Sequence, residues 1–564
     1  MSVFIGYPSF MAYQMMKGKK GNNDGFPSIP GMIARYSALG LTNEQMAENP
    51  IWVDKTGNEH DLQMKNFAWG GMSGVGGYAD NWNSSADWAI NSYWVNSHTD
   101  HKLQFIKASS VVQARSNNIY NAENVYKNIL NVNGLTEAVN KGSVKALRIN
   151  AFDPITSKAI KTFSFDTDGV IQISFDDVLQ DHYIAYFLSG NNTNDIDITI
   201  EQLPLYPGAL VFDGVDDYGT CDNFPILTKE KGYTVVALRQ WITYNPNAIS
   251  AIATNASDQS FNGAFTFENY NKGAEQTISY GATQISLQYS KSPFSWQTTS
   301  KYNRVNIANG NKDATNSLVL GRSYPQRNDF ANFAIWELVF LDHDATEEEL
   351  TKIKDYFVKT YPWLFPDQAW TVVGKTNEDE DRATIANITG NGNDLVLSNF
   401  GFIEGSGYNE EGEHAGYLVT DGVDDMITSS AFQMGKDFTV VGEWTLLQNI
   451  NVSSLRMDGS FVIRNNENGL SLLLDRVGSY ARVPTKSLKA FCSNGTIYKS
   501  DWTEQIETVT KEGTGGNRQL MIAGRNNNRE FDKIAFKNLA IYPTVLSKDD
   551  CIKAYNYLQT LKAK

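Results

Sequence analysis

The sequence predicts an all-β protein of three sandwiches: a repeated pair, the first member of which is interrupted by a smaller third. Three observations lead there. The pentapeptide Asp-Gly-Val-Asp-Asp occurs twice, at 213–217 and 421–425, each time behind an apolar run, Ala209-Leu-Val-Phe or Tyr417-Leu-Val-Thr. A second shared pattern, T-G-N-x-x-D-L-x-x-x-N-F, begins at Thr56 and again at Thr389; it precedes its pentapeptide by 157 residues in one copy and 32 in the other. The composition, with 12% aromatics and 44 glycines in 564 residues, suits short strands joined by many turns.

In chain order, residues 1–30 combine a Met-rich apolar piece with the flexible run Lys17-Gly-Lys-Lys-Gly-Asn-Asn-Asp-Gly25. Two readings stand side by side here, a docking peptide for a larger assembly and a segment packed on its own domain. The start lacks the basic n-region of a signal peptide, so export by the usual route is not expected. Gly31-Met-Ile-Ala-Arg-Tyr36 reads as a strand, and Thr56-Gly-Asn as a turn entering another. About 125 extra residues then separate the two shared patterns in the first copy. An insertion of that size is tolerated in a surface loop whose ends stay close. The first sandwich is therefore expected to be discontinuous, 31–78 plus 205–362, with an inserted sandwich at 79–204. Inside the insert, Val144–Ile149, Ile160–Phe165, Val170–Phe175, Tyr183–Phe187 and Ile196–Ile200 alternate or run apolar at short intervals, an antiparallel signature.

The copies stay in step downstream. Gly232-Tyr-Thr-Val-Val236 matches Asp437-Phe-Thr-Val-Val441, and Leu318-Val-Leu-Gly-Arg322 matches Met521-Ile-Ala-Gly-Arg525 in its Gly-Arg ending. Apolar strands follow at 333–340 and 534–541. One short helix closes each copy: Thr346-Glu-Glu-Glu349 and Ser547-Lys-Asp-Asp550 place a hydroxyl at the N-cap and a carboxylate at N3. Leu350, Ile353 and Phe357, like Cys551, Tyr555 and Leu558, mark one buried helical face. Thr360-Tyr-Pro-Trp-Leu-Phe-Pro366 is the boundary, so the second sandwich spans 367–564.

This order of motifs, with Phe212-Asp-Gly-Val-Asp-Asp-Tyr218 as its most specific string, resembles the laminin-G-like branch of the concanavalin-A-like lectin/glucanase superfamily. The second copy departs from it with Thr420 and Met426 in place of Phe and Tyr. The resemblance covers about 400 residues, excludes the insert and the first 30, and implies a jelly-roll β-sandwich of two curved antiparallel sheets for each copy. The whole arrangement, with Asn66-Phe-Ala-Trp-Gly-Gly-Met-Ser-Gly-Val-Gly-Gly-Tyr78 after the turn, also resembles structural proteins of phages and prophages of gut Bacteroidales. That implies a virion protein of a tail or head appendage or fibre, assembled in the host cytoplasm and exposed on the released particle, with host surface glycan and other virion subunits as partners. Phage fibres are often trimers, which allows a homo-oligomer, although no sustained heptad is visible to enforce one.

The formal net charge of -15 opposes general binding to nucleic acid or anionic membranes, and no apolar run reaches the length of a membrane span. Three cysteines give neither a disulfide framework nor metal-ligand spacing. Asp213, Asp216 and Asp217, and Asp421, Asp424 and Asp425, could offer hard oxygens to calcium; the competing reading is a strand-to-strand turn whose carboxylates bond nearby amides. No other cofactor is suggested. The paired carboxylates that the glucanase relatives carry on one strand are missing, and Asp195-Ile-Asp-Ile-Thr-Ile-Glu201 is an ordinary half-buried strand, so no enzyme is expected. Trp82, Trp88 and Trp94 recur every six residues among Asn, Ser and Asp, which suits a sugar face; the alternative is packing at the seam between insert and parent. The Asn-rich loop Arg525–Arg529 is a similar candidate. Two other classes compete with recognition: a ligand-free capsid or tail decoration, and a bacterial carbohydrate-active surface protein.

Overall fold

The computed structural model describes residues 24–108, 112–121, 126–175, 178–190, 196–227, 232–243, 250–257, 266–270, 284–289, 293–295, 314–323, 328–410, 414–448, 452–466, 469–477, 480–524 and 531–563. The Met-rich start and the Arg525–Arg529 loop lie outside them. Every named strand pair is antiparallel, and the strands form six sheets.

In the first sandwich, Asn332–Leu341 lies between Thr234–Trp241 and Leu210–Asp213, and Met32–Ser37 also pairs with it. The facing sheet carries Ile51–Trp52, Leu62–Lys65, Tyr218–Cys221 and Ala314–Leu320. The second sandwich repeats the plan with two eight-stranded sheets, its central strand Ile534–Tyr542 pairing with Thr439–Leu446, Leu418–Val419 and Gln368–Thr371. The insert has two five-stranded sheets and its own core, which includes Leu103, Leu130, Leu147, Ile149, Tyr186 and Ile200. Five of its strands were legible as alternating runs; Trp88–Ile90, Val95–His98, Lys102–Phe105, Ala114–Ser116 and Lys127–Asn133 complete it.

Both central strands are buried along nearly their whole length. A strand buried on both faces loses the polar–apolar alternation that a half-exposed one shows. Four helices are described: α1 (Asn43–Glu48), α2 (Leu135–Asn140), α3 (Glu347–Thr360) and α4 (Lys548–Gln559). α3 starts with a full capping box between Thr346 and Glu349, and Ser547 caps α4 by accepting from the Asp550 amide. Leu350, Ile353 and Phe357 are buried on one helix, Cys551, Tyr555 and Leu558 on the other.

The chain divides into two compact units, Met1–Tyr78 with Tyr206–Tyr361, and Ala79–Leu205 with Pro362–Lys564. The inserted sandwich thus groups with the second repeat. Tyr555 on α4 donates to the Gln172 Oε1 of the insert at 2.6 Å, and Asn556 to the Pro204 carbonyl at 3.4 Å. The two points where the first sandwich hands the chain over are adjacent, because the Tyr206 amide donates to the Gly76 carbonyl at 2.8 Å. Within the insert, Asp80 and Gln202 close the other side of that junction: the Asp80 amide donates to Gln202 Oε1 at 2.9 Å, and Gln202 Nε2 to the Asp80 carbonyl at 3.1 Å. Held ends make the insertion compatible with an intact host sandwich.

Candidate functional site

The two acidic turns have the same geometry. Gly214 and Gly422 both sit at φ 77°, a left-handed conformation that a Cβ disfavours. Asp213 Oδ1 accepts from the Val215 and Asp216 amides at 2.7 and 3.3 Å; Asp421 Oδ1 accepts from Val423 and Asp424 at the same distances. Asp217 and Asp425 reach back to the amides of Asp213 and Asp421, at 3.0 and 2.8 Å, and accept from Ser73 and Ser406 at 2.9 and 3.1 Å. Asn66 and Asn399, themselves left-handed, donate to the Asp216 and Asp424 carbonyls. These are Asx turns that fasten the T-G-N-x-x-D-L strand to the pentapeptide strand.

Burial, opposed by the Asp213 amide, pushes Asp217 up to about 8, and the same cause pushes Asp425 up to about 6. The three carboxylates of each copy lie close enough to share one ion. Both oxygens of Asp217 and of Asp425 are already taken by turn donors, as is Oδ1 of Asp213 and of Asp421. These bonds make each donor set a strand-to-strand turn.

The aromatic stretch separates into two kinds of residue. Trp82 and Trp88 are 1% and 3% exposed and meet edge-to-face at 6.2 Å, each also against Tyr186. The expected sugar face therefore does not include them: both rings point inward, into the insert's own core. Trp88 Nε1 donates to Asp80, which also accepts from Tyr126 at 2.5 Å and Asn128 at 3.0 Å. Burial raises Asp80 to about 7 despite these donors.

Trp94 differs. It is half-buried, and its neighbour Tyr93 is 60% exposed. The two rings meet at right angles with centroids 4.7 Å apart, and the Lys107 ammonium lies 3.6 Å from the Tyr93 centroid. Asn91, Ser92 and Asn96 are exposed beside them. The patch offers an aromatic face, a cation and amides at one place on the insert. The tryptophan spacing carries no signal for Tyr93, nor for Lys107, which lies just beyond the strand Lys102–Phe105.

The class defined by fold and site is an all-antiparallel β-sandwich protein with one short helix closing each of two repeated sandwiches. No protein-family model and no curated protein matches the chain. Among solved structures it is similar to Trypanosoma rangeli sialidase (9% identity over 41% of this chain and 41% of that one, TM-score 0.24) and to the binding domain of Paraclostridial Mosquitocidal Protein 1 (14%, 33% and 51%, 0.22). A truncated AlyQ with CBM32 and alginate lyase domains is also similar (10%, 60% and 92%, 0.18). The chain spans less than two thirds of the length of the first two. Likenesses at these TM-scores carry no argument about function.

Proposed function

We propose that this is a non-enzymatic recognition protein that binds carbohydrate through the Tyr93–Trp94–Lys107 patch of the inserted sandwich, the repeated sandwiches serving as its scaffold. The observation that carries the reading is the exposed Tyr93 ring, flanked by Trp94 and Lys107 amid amide side chains. A flat aromatic face matches the C–H side of a sugar ring, and neighbouring amides and an ammonium match its hydroxyl edge. The setting we propose is a phage particle, as a tail or head appendage, with host surface glycan as the ligand and other virion subunits as the remaining partners. This rests on the resemblance of the whole arrangement, with its Asn66–Tyr78 string, to phage structural proteins, and the net charge of -15 agrees with a surface that avoids nucleic acid.

The test is a glycan array and an adsorption assay on intact host cells, with the native chain beside Tyr93→Ala and Trp94→Ala. Binding that both substitutions abolish while the melting temperature holds supports the reading. No binding to glycan or cell overturns it in favour of a decoration role.

A further inference from the structure

We infer that Cys492 and Cys551 of the second sandwich are a covalent cross-link site, a disulfide that pins α4 to the sheet and is made by exchange with a small-molecule disulfide. Cys492 ends the strand Leu488–Cys492 and lies opposite Thr439 in the register of that sheet. The Thr439 hydroxyl accepts from the Leu546 amide at 2.9 Å, which fixes the approach to α4. The Cys492 sulfur is 3.4 Å from that hydroxyl oxygen and 4.0 Å from the Leu546 carbonyl oxygen. Ser547 caps the helix, and one turn on the Cys551 amide donates to the Ser547 carbonyl at 2.8 Å. There the Cys551 thiol donates to the Cys492 sulfur. Both side chains are buried. Two sulfurs in hydrogen-bond contact, on backbone segments held by the same threonine, are placed to bond.

The pairing is particular to this copy. Aligning the helix caps puts Leu350 at the place of Cys551, and Thr234, the counterpart of Thr439, lies opposite Tyr289. Both places hold cysteine in the second copy and neither does in the first. The third cysteine, Cys221, belongs to a strand of the first sandwich and serves as an internal control.

The hydrogen bond from Cys551 favours the Cys492 thiolate, so Cys492 is the attacking sulfur. It opens the S–S bond of oxidised glutathione, forming a mixed disulfide and releasing one glutathione thiolate. Cys551, its proton lost, attacks the Cys492 sulfur of that mixed disulfide and releases the second. The two protein protons end on the two glutathione thiolates. The cysteine pair is oxidised by two electrons and the glutathione disulfide reduced by two. Buried sulfurs meet the reagent only while α4 is lifted from the sheet, as during folding, and the docked helix then covers the bond.

The site does not depend on what the insert binds. The full chain is reduced, unfolded and refolded either in mixed reduced and oxidised glutathione or in reductant alone. The folded fraction is alkylated under denaturing conditions and mapped by mass spectrometry. Glutathione refolding is expected to leave Cys221 as the one alkylated thiol, with the Cys492 and Cys551 peptides joined. The second sandwich should then melt about 5–10 °C above its reduced form, the usual gain from one cross-link. Cys551→Ala should abolish that difference. The thiol count on the native chain needs no variant, so it decides the matter even if Cys551→Ala fails to fold. Three alkylated thiols, pairing through Cys221 as frequent as the Cys492–Cys551 bond, or equal melting of the oxidised and reduced chains overturns the proposal.

Discussion

The two repeated sandwiches share their turns and differ in their interiors. Asn43 and Asn377 make the same pair of contacts, accepting from the Val75 and Tyr408 amides at 2.7 and 2.8 Å and donating to the carbonyls of those residues. Thr234 and Thr439 each tie the start of a central-sheet strand to the segment before the closing helix, donating to His343 and Thr544 carbonyls and accepting from Ala345 and Leu546 amides. The buried carboxylate has moved, however. Strand register aligns Glu337 with Asn538 and Leu238 with Glu443. In the first copy Glu337 accepts from Arg35 at 3.0 and 3.2 Å and from Tyr361 at 2.7 Å. In the second, Glu443 accepts from Tyr417 at 2.5 Å, with Lys537 at 3.7 Å. Turn residues are tied to particular backbone angles, whereas a buried charge needs only a partner within reach and can change strands.

A second difference couples two positions. The backbone bonding aligns Gly321 with Ala523: the amide of Ala331 donates to Gly321, and that of Asp532 to Ala523. The Gly-Arg match of the sequences is therefore one residue out of register. Gly321 has φ 74°, and a Cβ there would stand 2.6 Å from the Phe212 ring. Ala523 has φ 62°, and the residue at the Phe212 position is Thr420, whose hydroxyl bridges Asp532 and Ile534 instead of filling the space. The large ring and the glycine belong together, as do the threonine and the alanine.

The comparison can be broken at several points. Arg35→Ala leaves Glu337 buried without its cation and should cost about 3–5 kcal/mol, read as a lowered denaturation midpoint of the first sandwich. If the loss is no larger than for an exposed lysine, the interior difference is without energetic weight. Gly321→Ala should cost about 2–4 kcal/mol, combining a left-handed Cβ with a clash against Phe212. Ala523→Gly should change the second sandwich by no more than about 1 kcal/mol, because relief of the backbone angle offsets the added chain entropy.

The acidic turns sharpen the comparison through pH. Unfolded, Asp217 and Asp425 ionise near 4; folded, they keep their protons to about 8 and about 6. Both contributions are fully present below pH 4 and are lost as pH rises, over 4–8 for the first sandwich and 4–6 for the second. Melting curves from pH 4 to 8 should show the first sandwich losing more stability, and Asp217→Asn should flatten that decline. A flat native profile would remove the buried neutral carboxyl. The smallest expected effect is calcium: calorimetry with calcium or EGTA should give the same melting temperature, and a rise with calcium would return the turns to the metal reading.

Much of the scaffold was legible because its chemistry is local. Asp-Gly-Val-Asp-Asp and Thr-Gly-Asn specify turns by side chains that bond amides two or three residues away, so they show as strings. A further shared string, Thr42-Asn-Glu44 and Thr376-Asn-Glu378, is too short to stand out, and in the second copy further acidic residues follow it directly. The aromatic stretch was less legible, because exposure is decided by the facing sheet. Trp82 and Trp94 look alike in sequence, and only the first is covered.

By itself, then, the sequence determined the repeat, the insertion between close ends, the turns and the caps of the closing helices, all of which depend on backbone angles and bonds within a few residues. Only the tertiary structure decided which aromatic rings face outward, that Arg35 meets Glu337 across 302 residues, and that the Gly-Arg strings lie one residue out of register. Those outcomes depend on packing between segments distant in the chain, where volume and charge must be matched by residues that no local pattern connects.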